Sequence, residues 1–332
     1  MARPKKRIAE APAASNTFLD ALRFCGSVTK DTGPINETYI HLGAYWATAF
    51  NGTIAAGHPI TEDIFACPHA SLIIEALSKC NEQISFTQLD GFRLSIKSGK
   101  FKAVIPGIDP TLLNIAMPDP PIAIIDDRFK EALSIVGILP NENAQLVYLA
   151  SILMNGQSLV STTGKAIFEY WHGINLPSEI ALPKALVEPL TKTAKKLVRF
   201  GFSPTSVTFY FEDSSWIRSQ VYIERWPDIG HILDQPSNAW PISGDFWRGL
   251  EAVAPFSSSG FVYFDAGILR SHDSPIQGAS YEVAGLPAGV AFPAKQLAMI
   301  RPFAKTMDFL AKGSLMFFGD NLRGAIAGVN RT

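Results

Sequence analysis

The chain has 332 residues, 47% of them hydrophobic and 18% charged, ordinary globular values that exclude disorder and coiled coil. The length suits about two domains, or three small ones, and no apolar run approaches the roughly 18 residues that span a membrane. Lys and Arg number 29 against 30 Asp and Glu, so the chain does not coat nucleic acid by bulk charge, although a local basic surface remains open.

From the start, Arg3, Lys5, Lys6 and Arg7 precede a Pro/Ala-rich stretch rather than an apolar core. Residues 1–16 therefore read as a flexible basic tail and not as a secretory signal. Thr17 to Lys30 reads as a helix, with Phe18, Leu22 and Cys25 on one face and Arg23 and Lys30 on the other. Strand-like text follows from Thr38 to Phe50. Pro68 then opens a second helix, PHASLIIEALSK; proline suits a first turn because its missing N–H would have no partner there anyway. Asp90-Gly91 between two alternating apolar runs predicts a hairpin.

The same order returns twice. After Pro118-Asp119-Pro120-Pro121, a helix is predicted over Asp127 to Leu139, its acidic start favouring the macrodipole, and strand text over Gln145 to Met154. Pro183 opens the next helix, which the pattern extends to Phe200, and SVTFYFED and WIRSQVYI form the next hairpin. After the turn-rich Asp234 to Pro241 come a helix over Ser243 to Ala254, strands over Gly260 to Leu269 and a helix PAKQLAMIRPFAK from Pro293. A hairpin around Gly319-Asp320-Asn321 closes the series. Pro68, Pro183 and Pro293 thus recur at intervals of roughly 110 residues, too long for a solenoid but right for a triplicated α+β domain. The boundaries fall at 17–121, 122–236 and 237–332.

Basic residues gather on the helices. Lys192, Lys195, Lys196 and Arg199 stand at i, i+3, i+4 and i+7, opposite Leu186, Leu190, Ala194 and Leu197. Arg248 opposes Phe246 and Leu250, and Arg301 and Lys305 lie away from Met299, Phe303 and Met307. Such stripes without a base-reading motif imply phosphate contact with no sequence preference.

Enzyme signatures fail. Ser161-Thr162-Thr163-Gly164-Lys165 resembles the end of a P-loop, but Leu159 stands where the first glycine belongs and Ala166 where the hydroxyl belongs. No nucleophile elbow or zinc-protease motif occurs. Cys67, His69 and Cys80 lack a fourth ligand, so buried structural cysteines are the expectation, with no metal and no cofactor. Cys25, Cys67 and Cys80 are also too few and too odd for a disulfide framework, which suggests a reducing, cytoplasmic setting. A β-rich repeat scaffold or virion protein would share this lack of motifs, without needing basic helices. An enzyme on an unfamiliar α+β fold is the other rival.

Three stretches carry a family resemblance: LSIKSGKFKAVIPGIDP (Leu94 to Pro110), SLVSTTGKAI (Ser158 to Ile167) and IRSQVYIERWPDIGHIL (Ile217 to Leu233). The last is the most specific, with Ser219-Gln220, Glu224 and Trp226-Pro227-Asp228 in register. From about Thr17 onward the chain resembles the bacterial DNA polymerase III beta sliding clamp, as a divergent member. The resemblance implies three copies of the DNA-clamp domain, each two helices on antiparallel sheet. Two chains would join head to tail in a ring around duplex DNA that tethers a replicative polymerase and is opened by a clamp loader. It implies no catalysis. It also implies an apolar groove for partner peptides at Leu149, Thr162, Gly164, Lys165, Ala166 and Ile167, with Ile232 and Leu233. The family's Asp-Gly-His-Arg-Leu reads Thr163-Gly164-Lys165-Ala166-Ile167 here, and its Met-Pro-x-Arg-Leu has no match in the closing Gly328-Val329-Asn330-Arg331-Thr332. An altered peptide preference is therefore expected.

Overall fold

The computed structural model describes residues 7–11, 16–31, 33–113, 117–310 and 313–330. In chain order the first stretch holds β1 (Arg7–Ala11), α1 (Asn16–Gly26), α2 (Ile35–Thr38), β2 (His41–Gly43), β3 (Trp46–Phe50), β4 (Ile54–Pro59), α3 (Ala70–Ser78), β5 (Ile84–Gln88), β6 (Leu94–Ser98) and β7 (Phe101–Ile105). Then come β8 (Pro121–Ile124), α4 (Asp127–Val136), α5 (Val147–Ala150), β9 (Ser151–Asn155), β10 (Ser158–Thr162), β11 (Ala166–Trp171), β12 (Ile180–Pro183), α6 (Val187–Lys192), β13 (Leu197–Ser203), β14 (Ser206–Phe211) and β15 (Trp216–Gln220). The last stretch holds α7 (Gly230–Leu233), β16 (Trp240–Pro241), α8 (Gly244–Val253), β17 (Phe261–Phe264), β18 (Ile268–Arg270), β19 (Ser280–Glu282), β20 (Val290–Pro293), α9 (Ala294–Ile300), β21 (Thr306–Phe309), β22 (Ser314–Gly319), β23 (Leu322–Ala327) and β24 (Val329–Asn330).

The chain divides into two compact units, residues 1–130 with 185–222 and residues 131–184 with 223–332. The first contains the sheets β1-β5-β6-β7 and β2-β3-β4-β15-β14-β13-β8. The second contains β12-β9-β10-β11-β23-β22-β21-β16 and β19-β18-β17-β20-β24. The two long sheets share one order: β2-β3-β4 followed by β15-β14-β13-β8 matches β9-β10-β11 followed by β23-β22-β21-β16. This twofold likeness of sheet order is distinct from the threefold repeat expected from the proline spacing. The strands between 122 and 236 are divided between both sheets, which is why each unit is built from separate stretches of chain.

Helices bury one face. On α1, Phe18, Ala21, Leu22 and Cys25 are buried while Arg23 is exposed. Gly26 ends α1 where a Cβ would lie 2.6 Å from Ile74 Cδ1, so α3 can approach closely only because no side chain is there. Phe129 of α4 meets Phe209 at 5.2 Å between centroids, and Phe200 meets Phe209 at 5.4 Å, so Phe200, Phe209 and their strand alternates form the helix-facing side of β13 and β14. In the second unit Phe246 of α8 packs edge-on against Phe264. The expected hairpins pair antiparallel: β5 with β6, β14 with β15, and β22 with β23. Asn321 turns the last of these at φ 51°, a conformation Asn tolerates.

Several expected elements differ. Arg7 to Ala11, expected within a flexible tail, pair with β5; Arg3, Lys5 and Lys6 lie outside the described residues. The helix expected to reach Lys30 stops at Gly26, and the helix expected to reach Lys305 stops at Ile300, ahead of Pro302, which cannot donate to its ladder. Leu149, expected on a strand, sits in the single turn α5.

The largest correction concerns Pro183 to Phe200. The helix ends at Lys192, Lys195 and Lys196 lie in a connecting loop, and Arg199 is on β13. The groups that would extend the helix are bonded elsewhere. Lys130 Nζ donates to the Thr193 and Lys195 carbonyls at 3.0 and 2.7 Å, and Leu197 N donates to Asp127 Oδ1 at 3.1 Å. Lys192, Lys195, Lys196 and Arg199 therefore share no helical face. Among the described residues no helix is long and apolar enough to cross a membrane.

Candidate nucleic-acid interface and partner site

Seven of the nine expected DNA-facing cations have a carboxylate within ion-pair reach. Arg23 meets Asp20 at 3.4 Å, Lys30 meets Glu37 at 2.6 Å, Arg248 meets Asp245 at 2.5 Å and Lys305 meets Asp320 at 2.5 Å. Lys192 pairs with Glu188, Lys195 with Asp213 and Arg301 with Glu251. Exposed pairs of this kind contribute about 0–1 kcal/mol, so phosphate can compete for the cation. Lys196 and Arg199 have no ion-pair partner among the described residues.

In the first unit, Arg23 of α1 and Lys192 of α6 line one shallow hollow of about 390 Å³, with Asp20, Ser27, Glu188 and Thr193. Lys195 also reaches this hollow, but its side chain is only 24% exposed and is engaged in packing. Besides Asp213, it contacts His58 Nε2 at 2.9 Å and sits 5.1 Å over the Phe24 ring. Burial pushes the Asp213 carboxyl up, but hydrogen bonds from Lys195 and Ser215 outweigh that and bring it down to about 2. Lys195 is thus a structural cation. Arg199 pairs in register with Tyr210, on the sheet face opposite Phe200 and Phe209 and so away from the helix α4. Lys30 and Lys305 lie outside helices, while Arg248 is on α8 and Arg301 caps α9.

The second unit carries an apolar patch whose central residues are buried and whose rim is partly exposed. Leu153 of β9, Val160 of β10, Ile167 of β11, Ala325 of β23 and Met316 of β22 come together with Leu233 of α7, and Trp226, Ile229, Ile232, Leu310 and Phe318 pack partly exposed against them. The register brings the strand residues side by side: Val160 opposite Leu153, Ile167 opposite Ala325, Met316 opposite Ala325. Trp226 is held by a hydrogen bond from Nε1 to Ser151 Oγ at 3.0 Å and by an edge contact with Tyr148.

Of the expected groove residues, Ile167, Ile232 and Leu233 join this patch. Thr162, Gly164, Lys165 and Ala166 build the adjoining turn. Thr162 Oγ1 donates to the Ala166 carbonyl at 2.8 Å and accepts from Gly164 N at 2.9 Å, which sits at φ 80°. A Cβ on Gly164 would lie 3.6 Å from Leu149 Cδ2, so Leu149 borders the turn. Leu153, Val160, Met316, Trp226 and Phe318 were not anticipated. The period-two alternation of their strands points to the strand members; Trp226 stands in the most specific stretch of the resemblance but not among its groove residues.

Among the described residues no three His, Cys, Asp or Glu side chains are placed to share a metal ion. Cys67 is buried, its thiol pushed up to about 12 by that burial, and Cys80 Sγ donates to the Ala76 carbonyl at 3.3 Å.

No protein-family model matches the chain, and no curated protein matches it in sequence. Solved structures do. The Bacillus subtilis DNA polymerase sliding clamp is 13% identical with a TM-score of 0.79, covering 96% of this chain and 98% of its own. The Pseudomonas aeruginosa DNA polymerase III subunit beta is 12% identical with a TM-score of 0.77, covering 95% and 98%. The Helicobacter pylori beta clamp bound to a DNA ligase peptide is 14% identical with a TM-score of 0.76, covering 95% and 98%. The chain has the β-clamp fold.

Proposed function

We propose that the chain is a non-catalytic DNA sliding clamp that encircles duplex DNA and tethers a replicative polymerase. The observation that carries the reading is the fold likeness along almost the whole length of both chains, 96% here and 98% of the Bacillus subtilis clamp. Identity near 13% leaves the fold, and not the sequence, as the ground for it.

In this reading three domains, 17–121, 122–236 and 237–332, form half of a ring, and a second copy joined head to tail closes it. Arg23, Lys192 and Lys196 in the first unit, with Arg248 and Arg301 in the second, supply phosphate contacts that are strong enough to retain DNA and too uniform to stop sliding. Lys30 and Lys305 add peripheral charge. Partner peptides from the polymerase and the clamp loader dock on the partly exposed Trp226, Ile229, Ile232, Leu310 and Phe318 above the buried Ile167, Leu233 and Met316, with Leu149 and the Thr162–Ala166 turn at the edge. That the H. pylori clamp was solved with a DNA ligase peptide supports a peptide site on this fold. The setting is cytoplasmic, where such partners work.

Negative-stain microscopy of the purified protein at micromolar concentration tests the reading. Ring-shaped particles with an open centre are expected. Compact particles without a hole, at concentrations where a dimer persists, would remove the encircling mechanism.

A further inference from the structure

The shared topology of the two long sheets asks what the first has at the position where the second carries its apolar patch. Aligning β2-β3-β4 and β15-β14 with β9-β10-β11 and β23-β22 sets Thr208 against Met316, Arg218 against Ala325 and Tyr210 against Phe318. The apolar centre is replaced by a polar one. Asp119 accepts hydrogen bonds from Ser206 Oγ at 2.7 Å and Thr208 Oγ1 at 2.9 Å, and Arg218 Nε lies 3.6 Å from its Oδ2.

Beside this centre, on the same sheet face, the first unit opens a cavity of about 630 Å³. Its walls include Trp46, Phe65, Tyr210 and Trp216, with His41 and Thr48 on the polar side and Arg199 and Glu212 at the mouth. The volume falls within the roughly 300–1,000 Å³ of ordinary ligand sites, enough for one or two large side chains.

Two features suit the cavity to a ligand. Phe65 is 56% exposed and Met117, also on the wall, 73% exposed, although each borders apolar space. Arg199 stands at the mouth with no carboxylate in reach among the described residues. Trp216 and Tyr210 are fixed in advance, the first buried against Gly57 and the second donating from its hydroxyl to the Asp119 carbonyl. The walls are therefore preorganised.

We propose that this cavity is a second docking site for linear peptides, taking one large apolar side chain between Trp46, Phe65 and Trp216, with an acidic neighbour against Arg199. Glu212, in the turn that follows β14, also lines the cavity and disfavours an acid beside it, so the acidic neighbour belongs on the Arg199 side. His41, its pKa lowered by burial, offers a ring nitrogen to a peptide N–H or carbonyl. The site extends the clamp reading to a second partner contact per chain, but its geometry lies wholly within the first unit.

Selection of a phage-displayed library of random dodecapeptides on the full chain supplies the probe. Enriched peptides are synthesised and their affinities compared for wild type, Phe65→Ala, Arg199→Glu and Leu149→Asp. Phe65 and Arg199 are exposed, so the first two variants keep their fold, which melting curves verify. The expected result is a peptide class with a large apolar residue next to Asp or Glu that loses about tenfold or more on Phe65→Ala and on Arg199→Glu, and nothing on Leu149→Asp. Peptides sensitive only to Leu149→Asp, peptides indifferent to Phe65 and Arg199, or an empty selection would each overturn the second site. The first of these results would leave the clamp reading standing, and a lack of rings would leave a Phe65-dependent peptide class standing.

Discussion

Arg323 of β23 reaches Glu169 of β11 at 2.8 Å across the sheet, and this pair joins the strands on which the apolar patch is built. The same guanidinium donates from Nη1 to the Leu233 carbonyl at 3.1 Å, tying α7 to the sheet, while Ser158 Oγ donates to Glu169 Oε1 at 2.8 Å. Glu169 is only 7% exposed, so water does little to replace these partners. Replacing Arg323 by Met should cost about 3 kcal/mol, because it leaves a buried carboxylate without its cation. The double variant with Glu169→Gln should recover most of that loss. Urea unfolding of the three proteins checks it; a single variant as stable as wild type would mean that Ser158 alone satisfies Glu169.

On the sliding-clamp proposal, the cations divide into those open to phosphate and those engaged in the fold. Replacing Arg23, Lys192 and Lys196 by Ala should reduce the slope of log affinity against log salt by about two to three, since each lost phosphate contact removes roughly one released counterion. Arg199→Ala should leave that slope unchanged, because its side chain faces away from the helices. Titration of labelled duplex at several salt concentrations measures both. A slope equally lowered by Arg199→Ala would contradict the assignment of faces.

Asp213 makes the first unit sensitive to acid. Its carboxyl is held at about 2 in the native protein against an ordinary 3.8, burial being outweighed by Lys195 and Ser215. A depressed native value stabilises the fold above the unfolded value and loses that stabilisation as pH falls from about 4 towards 2. With the side chain about one-third exposed, the contribution is about 1–2 kcal/mol after solvent screening. Asp213→Asn should therefore lower stability at pH 6 and narrow the gap from wild type at pH 2.5. A gap independent of pH would show that the carboxylate is not the group responsible.

Gly57 of β4 lies opposite Trp216 of β15, and a Cβ there would stand 2.3 Å from Trp216 Cε2. Gly57→Ala should destabilise by about 1–3 kcal/mol through displacement of the ring. Because Trp216 is a wall of the cavity, the variant should also raise the accessibility of tryptophan to acrylamide quenching. Unchanged melting and quenching would mean that the ring has room to move.

What was legible in the sequence is what depends on neighbours a few residues apart. The Asp90-Gly91 turn, the helices after Pro68 and Pro293 and the three hairpins follow from local turn geometry and from periodicity, and all appear in the fold, although α3 and α9 begin at Ala70 and Ala294, past the prolines. Helix length beyond Lys192 was not legible, since it depends on Lys130 and Asp127 bonding the loop backbone from more than sixty positions away. The face of Arg199 was misread for the same reason: a period of 3.6 and a strand both accommodate the run from Lys192 to Phe200, and tertiary hydrogen bonds decided between them. The resemblance names Ile167 and Leu233 for a partner groove, but Met316, Ala325 and Trp226 join them in one apolar cluster only because β11 pairs with β23 and the segment carrying Trp226 folds back onto β9. Sequence alone determined the elements and their order. Which strands became neighbours, and therefore which side chains share a surface, was decided by long-range pairing, whose partners no local pattern names.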